Sequence, residues 1–153
     1  MQPPDKNQLL TDAFSYLSQQ TMGVISTVAQ DNVPESASVN YFLDKDWKIY
    51  IITNKDSRKV QNIRQNNRVS FVVGVPQIPH TAQIQADAQV IESDNSEYDI
   101  AYQKLKDSKV LDRNPIYSAF GSNYVILRLN ITWLRWLFFE EGTGKEVYTV
   151  LIP

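Results

Sequence analysis

Apolar residues Leu9, Leu10, Ala13, Phe14 and Leu17 recur at helical spacing behind a Pro-Pro start, which predicts an amphipathic first helix of about three turns. From Met22 the period changes. Residues 22–29 and 35–43 read as strands joined by a polar turn, Asp44-Lys45-Asp46 makes a second tight turn, and residues 47–53 form a third strand. Short turns make these three antiparallel neighbours, because a parallel pair needs a longer crossover. Val60 and Ile63 share one face of a short helix over residues 57–65, followed by a fourth strand at 68–75. Over residues 81–92, Ala82, Ile84, Ala86, Ala88 and Val90 alternate with Gln83, Gln85, Asp87 and Gln89, so a long fifth strand has one buried and one wet face. Residues 93–97 carry helix-start chemistry, which Tyr98, Ala101, Tyr102 and Leu105 continue to about Lys106. Pro115 and Gly121 mark residues 109–123 as loop. Residues 124–131 and 132–140 read as two further strands, and Gly142-Thr143-Gly144 turns the chain into a last extended segment at 147–152. Mostly consecutive antiparallel strands with few helices predict the mainly β class, a barrel with helical decorations.

The segment 132–140 poses a packing problem. Trp133, Arg135, Leu137 and Phe139 point to one side and Leu134, Trp136 and Phe138 to the other, so both faces are apolar and both need cover. One face can fill the barrel. The other is covered either by the first or middle helix or by a second copy of the chain.

Composition narrows the class of function. A chain of 153 residues suffices for one domain, spanning residues 1–153, with a sizeable core. Fifteen Lys and Arg against 17 Asp and Glu leave a formal charge of −2, which gives no global attraction to nucleic acid or to an anionic membrane. Cysteine is absent, so disulfides, thiolate metal sites and Cys nucleophiles are excluded, as a reducing cytoplasm permits. His80 is the only histidine and follows a Pro-rich loop signal, which predicts an exposed or hydrogen-bonding loop residue. Residues 1–7 lack the apolar core of a signal peptide, and no apolar run is long enough to span a bilayer. The expected compartment is cytoplasmic.

The chemistry concentrates between Ile49 and Val73. An apolar strand ends at Thr53-Asn54, Asp56 or Ser57 can cap the helix that follows, and Arg58 and Lys59 then occupy its first turn. That end of a helix is already positive, so each cation costs about 0.3–1 kcal/mol there. A bound anion reverses the sign, since converging N–H groups, an Arg fork and a Lys point charge together make a phosphate site. The alternative is that Arg58 and Lys59 are ordinary solvated residues.

Thr53-Asn54, Ser57-Arg58-Lys59-Val60, Asn62-Ile63-Arg64 and Asn67-Arg68-Val69 resemble the split-barrel flavin-binding family related to pyridoxamine 5'-phosphate oxidase. The resemblance implies a six-stranded antiparallel Greek-key split barrel of the FMN-binding type over roughly residues 22–140. It implies that Thr53, Ser57, Arg58 and Lys59 hold the phosphate of FMN, with Asn54 near the same strand end, and that the flavin ring lies along Ser38-Val39-Asn40-Tyr41. Asn40 and Tyr41 are then either ring contacts or ordinary strand residues. Gln83 either reaches the ring or ribityl chain or faces solvent, and Trp133 and Trp136 either stack on a partner's flavin or serve core and interface. The resemblance also implies a homodimer with FMN in clefts between subunits, acting on a small-molecule substrate as an oxidoreductase. The alternative is a holder of FMN, a deazaflavin or haem that has no turnover of its own, with haem disfavoured by the single histidine. True pyridoxine or pyridoxamine phosphate oxidases carry an Arg-x-x-Leu-Leu-Lys strand and a C-terminal Arg-x-His motif. Here the matching strand is Glu35-Ser-Ala-Ser-Val-Asn-Tyr-Phe42 and no histidine follows His80, which argues against vitamin B6 phosphate oxidation.

Overall fold

A computed structural model describes residues 5–75, 78–113, 123–140 and 142–152. Helix α1 (Lys6–Gln19) turns Leu9, Ala13, Tyr16 and Leu17 inward, about four turns rather than the three expected. Strands β1 (Met22–Val28) and β2 (Pro34–Asn40) form the predicted hairpin, from Met22 opposite Asn40 to Val28 opposite Pro34. The strand expected over 35–43 breaks at Tyr41, and Phe42–Leu43 continues as β3. Next come β4 (Lys48–Asn54), α2 (Arg58–Gln65), β5 (Arg68–Val75), β6 (Ile78–Ile91) and α3 (Tyr98–Asp107). A 3₁₀ turn (Leu111–Arg113), β7 (Tyr124–Phe139) and β8 (Glu146–Ile152) complete the chain. Most of the loop predicted at 109–123 lies outside the described residues.

The strand path is β2-β1-β5-β6-β7-β4-β3, antiparallel at each step, with β8 beside β7. Its two ends are one stretch of chain, because β2 stops at Asn40 and β3 starts at Phe42. That stretch pairs with β1 at one end and β4 at the other, which curls the sheet back on itself. Counting β2 and β3 as one interrupted strand gives seven strands, one more than the six expected of the barrel, and β8 beside β7 is the additional one. The second turn therefore does not make β4 a full neighbour of the preceding strand. Only Phe42 and Leu43 pair with it, and its long partner is β7.

Residues 124–131 and 132–140 are one strand, not two. Between Gln85 opposite Trp133 and Ala86 opposite Ile131 the register shifts, so Thr132 is the extra residue of a bulge. The bulge moves the inward phase from Val125, Leu127 and Leu129 to Leu134 and Trp136, and period-two alternation sees that slip as a break. The outer face of the first half is covered by α3, where Ile126 packs with Tyr50, Ile52, Ala101 and Leu105. In the second half, α1 packs on the Leu134 and Trp136 face, Tyr16 lying 5.2 Å from the Trp136 ring, and among the described residues no helix contact covers the other face. Trp133, Arg135 and Leu137 remain half-buried and Phe139 exposed, with Arg135 over the rings of Trp133 and Tyr148.

The inner core is fed by α1, α2 and all eight strands. Gly23 is dictated by this packing, since a Cβ there would overlap the tip of the fully buried Phe71 ring. His80 departs from expectation, for it lies in β6 rather than a loop. Pro79 and His80 fall in the register shift between Val75 opposite Ile78 and Gly74 opposite Thr81, where a missing proline N–H removes no ladder bond. The His80 ring stacks on Trp136 at 5.2 Å, and its buried Nδ1 has no partner among the described residues. No described helix is long and apolar enough to cross a membrane.

Candidate functional site

β4 delivers Thr53 and Asn54 to the base of α2. The Asn54 side chain closes the turn, its Oδ1 accepting the Asp56 N–H at 2.8 Å, while its carbonyl accepts the Ser57 N–H at 3.1 Å. Asn123 holds the turn from the other side, donating through Nδ2 to Asp56 Oδ2 at 2.7 Å. Asn54 thus shapes the approach to the helix, and its side-chain oxygen is committed to the backbone.

Ser57 occupies the N-cap position with extended dihedrals, yet its hydroxyl makes no capping bond. Its Oγ is buried and unpartnered among the described residues. An unmade hydrogen bond of that kind costs about 1–3 kcal/mol, so a buried hydroxyl beside free helix N–H groups marks a place shaped for an acceptor. No acidic residue lies in the first turn to supply one.

The two cations of that turn are arranged differently. Lys59 is half-buried and donates through Nζ to Thr53 Oγ1 at 3.1 Å, its one hydrogen-bond partner among the described residues. Burial pushes its ammonium pKa below the ordinary lysine value. The Arg58 side chain is 81% exposed and its guanidinium pairs with Glu35 Oε1. The other oxygen of Glu35 accepts from Asn62 Nδ2 at 2.8 Å, and the same amide donates to Thr27 Oγ1 at 3.0 Å. These groups surround a cavity of about 310 Å³ whose walls include Arg58, Lys59, Glu35 and Thr27, with Ile25 and Ala37 supplying apolar surface. The volume lies at the lower end of the range for small-molecule sites. The structure therefore brings Thr53, Ser57, Arg58 and Lys59 to one spot at the end of the barrel.

Asn40, Tyr41 and Gln83 lie apart from that spot. The Tyr41 side chain is spent in the core: it is 2% exposed, sits edge-on to Phe71, and donates to the Leu17 carbonyl at 2.6 Å. Burial, with Tyr16 nearby, drives its phenol pKa upward. Its side chain does not line the cavity at Arg58 and Lys59, and its N–H is held by the Thr21 carbonyl at 3.1 Å. Asn40 is half-buried on the outer face, opposite Met22. Gln83 belongs to the same face, but its Oε1 accepts from Arg135 Nε at 2.9 Å, so it neither faces solvent freely nor reaches the cavity. Ser38, Val24, Val72, Gln83, Arg135 and Val150 form one continuous row across five adjacent strand pairs. A shallow hollow of about 540 Å³ opens there, over Met22, Val24, Ser38 and Val72. Trp136 is buried in the core, and Trp133 stands on the outer face beside Arg135.

Glu35 and Thr27, which line the cavity, and Asn62, which bonds both, were not among the candidates read from the sequence. One signal was available: Asn62 lies next to Ile63 on the buried side of a two-anchor helix, and a buried amide demands polar partners. Among the described residues no cluster of His, Asp and Glu could hold a metal ion.

The pyridoxamine 5'-phosphate oxidase family profile matches residues 10–135. No curated protein is significantly similar in sequence. Among solved structures, a pyridoxamine 5'-phosphate oxidase-related, FMN binding protein from Nostoc punctiforme PCC 73102 superposes with a TM-score of 0.63 at 14% identity, over 100% of both chains. A heme binding protein from Mycobacterium smegmatis gives 0.70 at 15% identity, over 99% of this chain and 60% of that one. An F420 reductase gives 0.62 at 19% identity, over 78% of this chain and 93% of the other. At such identities the likeness is one of fold, the split barrel.

Proposed function

This chain belongs to the pyridoxamine 5'-phosphate oxidase family, and from that premise we propose that it is an FMN-dependent oxidoreductase of the cytoplasm, working on a small substrate at a homodimer cleft. The observation that carries the proposal is the buried Ser57 hydroxyl at the head of α2, unpartnered among the described residues, two residues from a desolvated lysine whose one partner among them is a neutral hydroxyl. Each of these groups is poorly satisfied as it stands and well satisfied by a phosphate. Ser57 and Thr53 supply hydroxyls, Lys59 a point charge and Arg58 a fork that reaches from the exposed side. When bound, FMN supplies the redox chemistry, and the protein's part is to bind, orient and exclude water. Strand β2 turns Glu35 and Ala37 towards the cavity and Ser38 and Asn40 to the opposite face, so a flavin ring whose phosphate sits at Arg58 and Lys59 would lie over this edge strand, between the cavity and the hollow at Met22, Val24 and Val72.

The dimer rests on the same outer face. Met22, Val24, Val72, Phe139, Tyr148 and Val150 are all exposed, and a row of apolar side chains of this extent on one sheet face favours burial against a second copy. The second reading is a holder of FMN, a deazaflavin or haem without turnover, which the likeness to a heme binding protein supports at the level of fold. For haem, His80 is a poor candidate, since its ring is stacked on Trp136 with Nδ1 buried.

The test is the absorbance spectrum of the purified protein followed by titration with FMN. Flavin bands and saturable binding support the proposal, a Soret band supports haem, and failure of added FMN to bind rejects it. Arg58→Ala should weaken FMN by about 1–2 kcal/mol, the lower part of the range for charge-assisted hydrogen bonds because the side chain is exposed. Unchanged affinity in that variant removes Arg58 from the site.

A further inference from the structure

The cavity that holds Arg58 and Lys59 also holds a carboxylate, and the way it is fixed matters. The Glu35 side chain is 19% exposed while its partner Arg58 is 81% exposed. Asn62, itself 8% exposed, holds one carboxylate oxygen through Nδ2 at 2.8 Å and is held in turn by Thr27 at 3.0 Å. The carboxylate is therefore the anchored member of the ion pair and the guanidinium the adjustable one. Nothing about the barrel requires an acid here, since Glu35 is the second residue of edge strand β2 and its neighbours Ser36 and Ala37 are small and neutral.

We infer that Glu35 is a specificity-determining residue of this site, one that restrains its affinity for dianionic phosphate monoesters. The inference rests on the phosphate-site reading above and adds to it a residue that opposes binding. Two cations and one carboxylate in the cavity leave a side-chain charge of +2 − 1 = +1. A phosphate monoester carries between about −1.5 and −2 at neutral pH, so the wall is undermatched by close to one unit. The fixed carboxylate repels the ligand and occupies N–H donors of Arg58 that a phosphate would otherwise use. A ligand lacking the phosphate meets neither effect.

Calorimetric titration of the wild-type protein and Glu35→Gln with FMN and with riboflavin tests this. Gln keeps the side-chain length and an oxygen for Asn62 while removing the charge. The expected result is FMN binding at least ~10-fold tighter to E35Q, the ratio that ~1.4 kcal/mol makes, with riboflavin affinity unchanged. Equal FMN affinity in the two proteins, or equal tightening of both ligands, overturns the inference and leaves the phosphate site standing. Weaker FMN binding by E35Q also overturns it, because Glu35 is then a positioning residue for Arg58. If the wild-type protein and E35Q alike bind FMN no better than riboflavin, the phosphate site itself fails and the inference goes with it. Should a thermal melt show E35Q unfolded, Glu35→Ala carries the same predicted sign and takes its place.

Discussion

Lys59 places the strongest demand on the account, because the structure assigns it a cost in the free protein and a gain in the complex. Its ammonium is half-buried with a neutral hydroxyl as partner at 3.1 Å, and burial lowers its pKa from the ordinary 10.5. A group whose folded pKa is depressed by burial of its charged form binds fewer protons in the native state than in the unfolded one, so stability rises with pH through the window below 10.5. The variant Lys59→Gln removes the charge and retains a donor for Thr53. In the ligand-free protein it should be as stable as wild type at neutral pH or more stable by up to about 1 kcal/mol, which for a chain of this size shifts the melting temperature by roughly 2–4 °C. The wild-type protein should close that gap as pH rises towards the ordinary lysine value of 10.5. For FMN the sign reverses. Loss of a charge-assisted hydrogen bond to phosphate costs about 1.5–3 kcal/mol, or roughly 10- to 150-fold in affinity. Thermal melts across pH and calorimetry with FMN read the two halves separately. A variant that is markedly less stable without ligand, or that binds FMN as tightly as wild type, refutes the reasoning.

Three further outcomes follow from the geometry. Tyr41→Phe removes the bond to the Leu17 carbonyl and should cost about 1 kcal/mol in a denaturant titration, yet leave FMN affinity within twofold, whereas a large loss of affinity would return Tyr41 to the flavin site. Gly23→Ala drives a methyl into the Phe71 ring and should lower stability by about 1–3 kcal/mol, and a variant as stable as wild type would show that the core yields there. Burial alone would raise the Asp44 pKa, but bonds from Lys104 and from the Lys48 and Asp46 N–H groups outweigh it and lower the pKa. Stability from this group is therefore present above the ordinary carboxylate pKa and lost as pH falls through the lowered one, and Asp44→Asn should flatten that part of an acid titration of stability.

How much of this was legible in the chain depended on whether a signal was local. The Thr53 to Lys59 constellation was readable because strand end, cap and first helical turn lie within seven consecutive residues. The alternation over Ala82 to Val90 was equally direct, since it reports one wet and one dry face. The bulge at Thr132 was not readable: it preserves strand geometry while reversing side-chain phase, and only the register with β6 separates that from a strand end. The same holds for Tyr41, whose neighbours suggest a ligand-facing strand, whereas the β2–β3 break turns its ring into the core. Glu35 meets Arg58 across 23 positions and Asn62 across 27, so its place in the cavity wall and its anchoring belong to tertiary structure alone. The helical cover weighed for the second half of β7 reaches only one of its faces, where Tyr16 of α1 packs on Trp136, while α3 covers Ile126 in the first half.

The central claim is that the Ser57–Lys59 end of α2 grips a phosphate monoester, and phosphorus NMR of FMN titrated with the protein addresses it most directly. The account predicts that the phosphorus signal shifts and broadens, saturating at one FMN per chain, and that the change is diminished in Lys59→Gln. A phosphorus signal that keeps the position and width of free FMN in excess protein would contradict it.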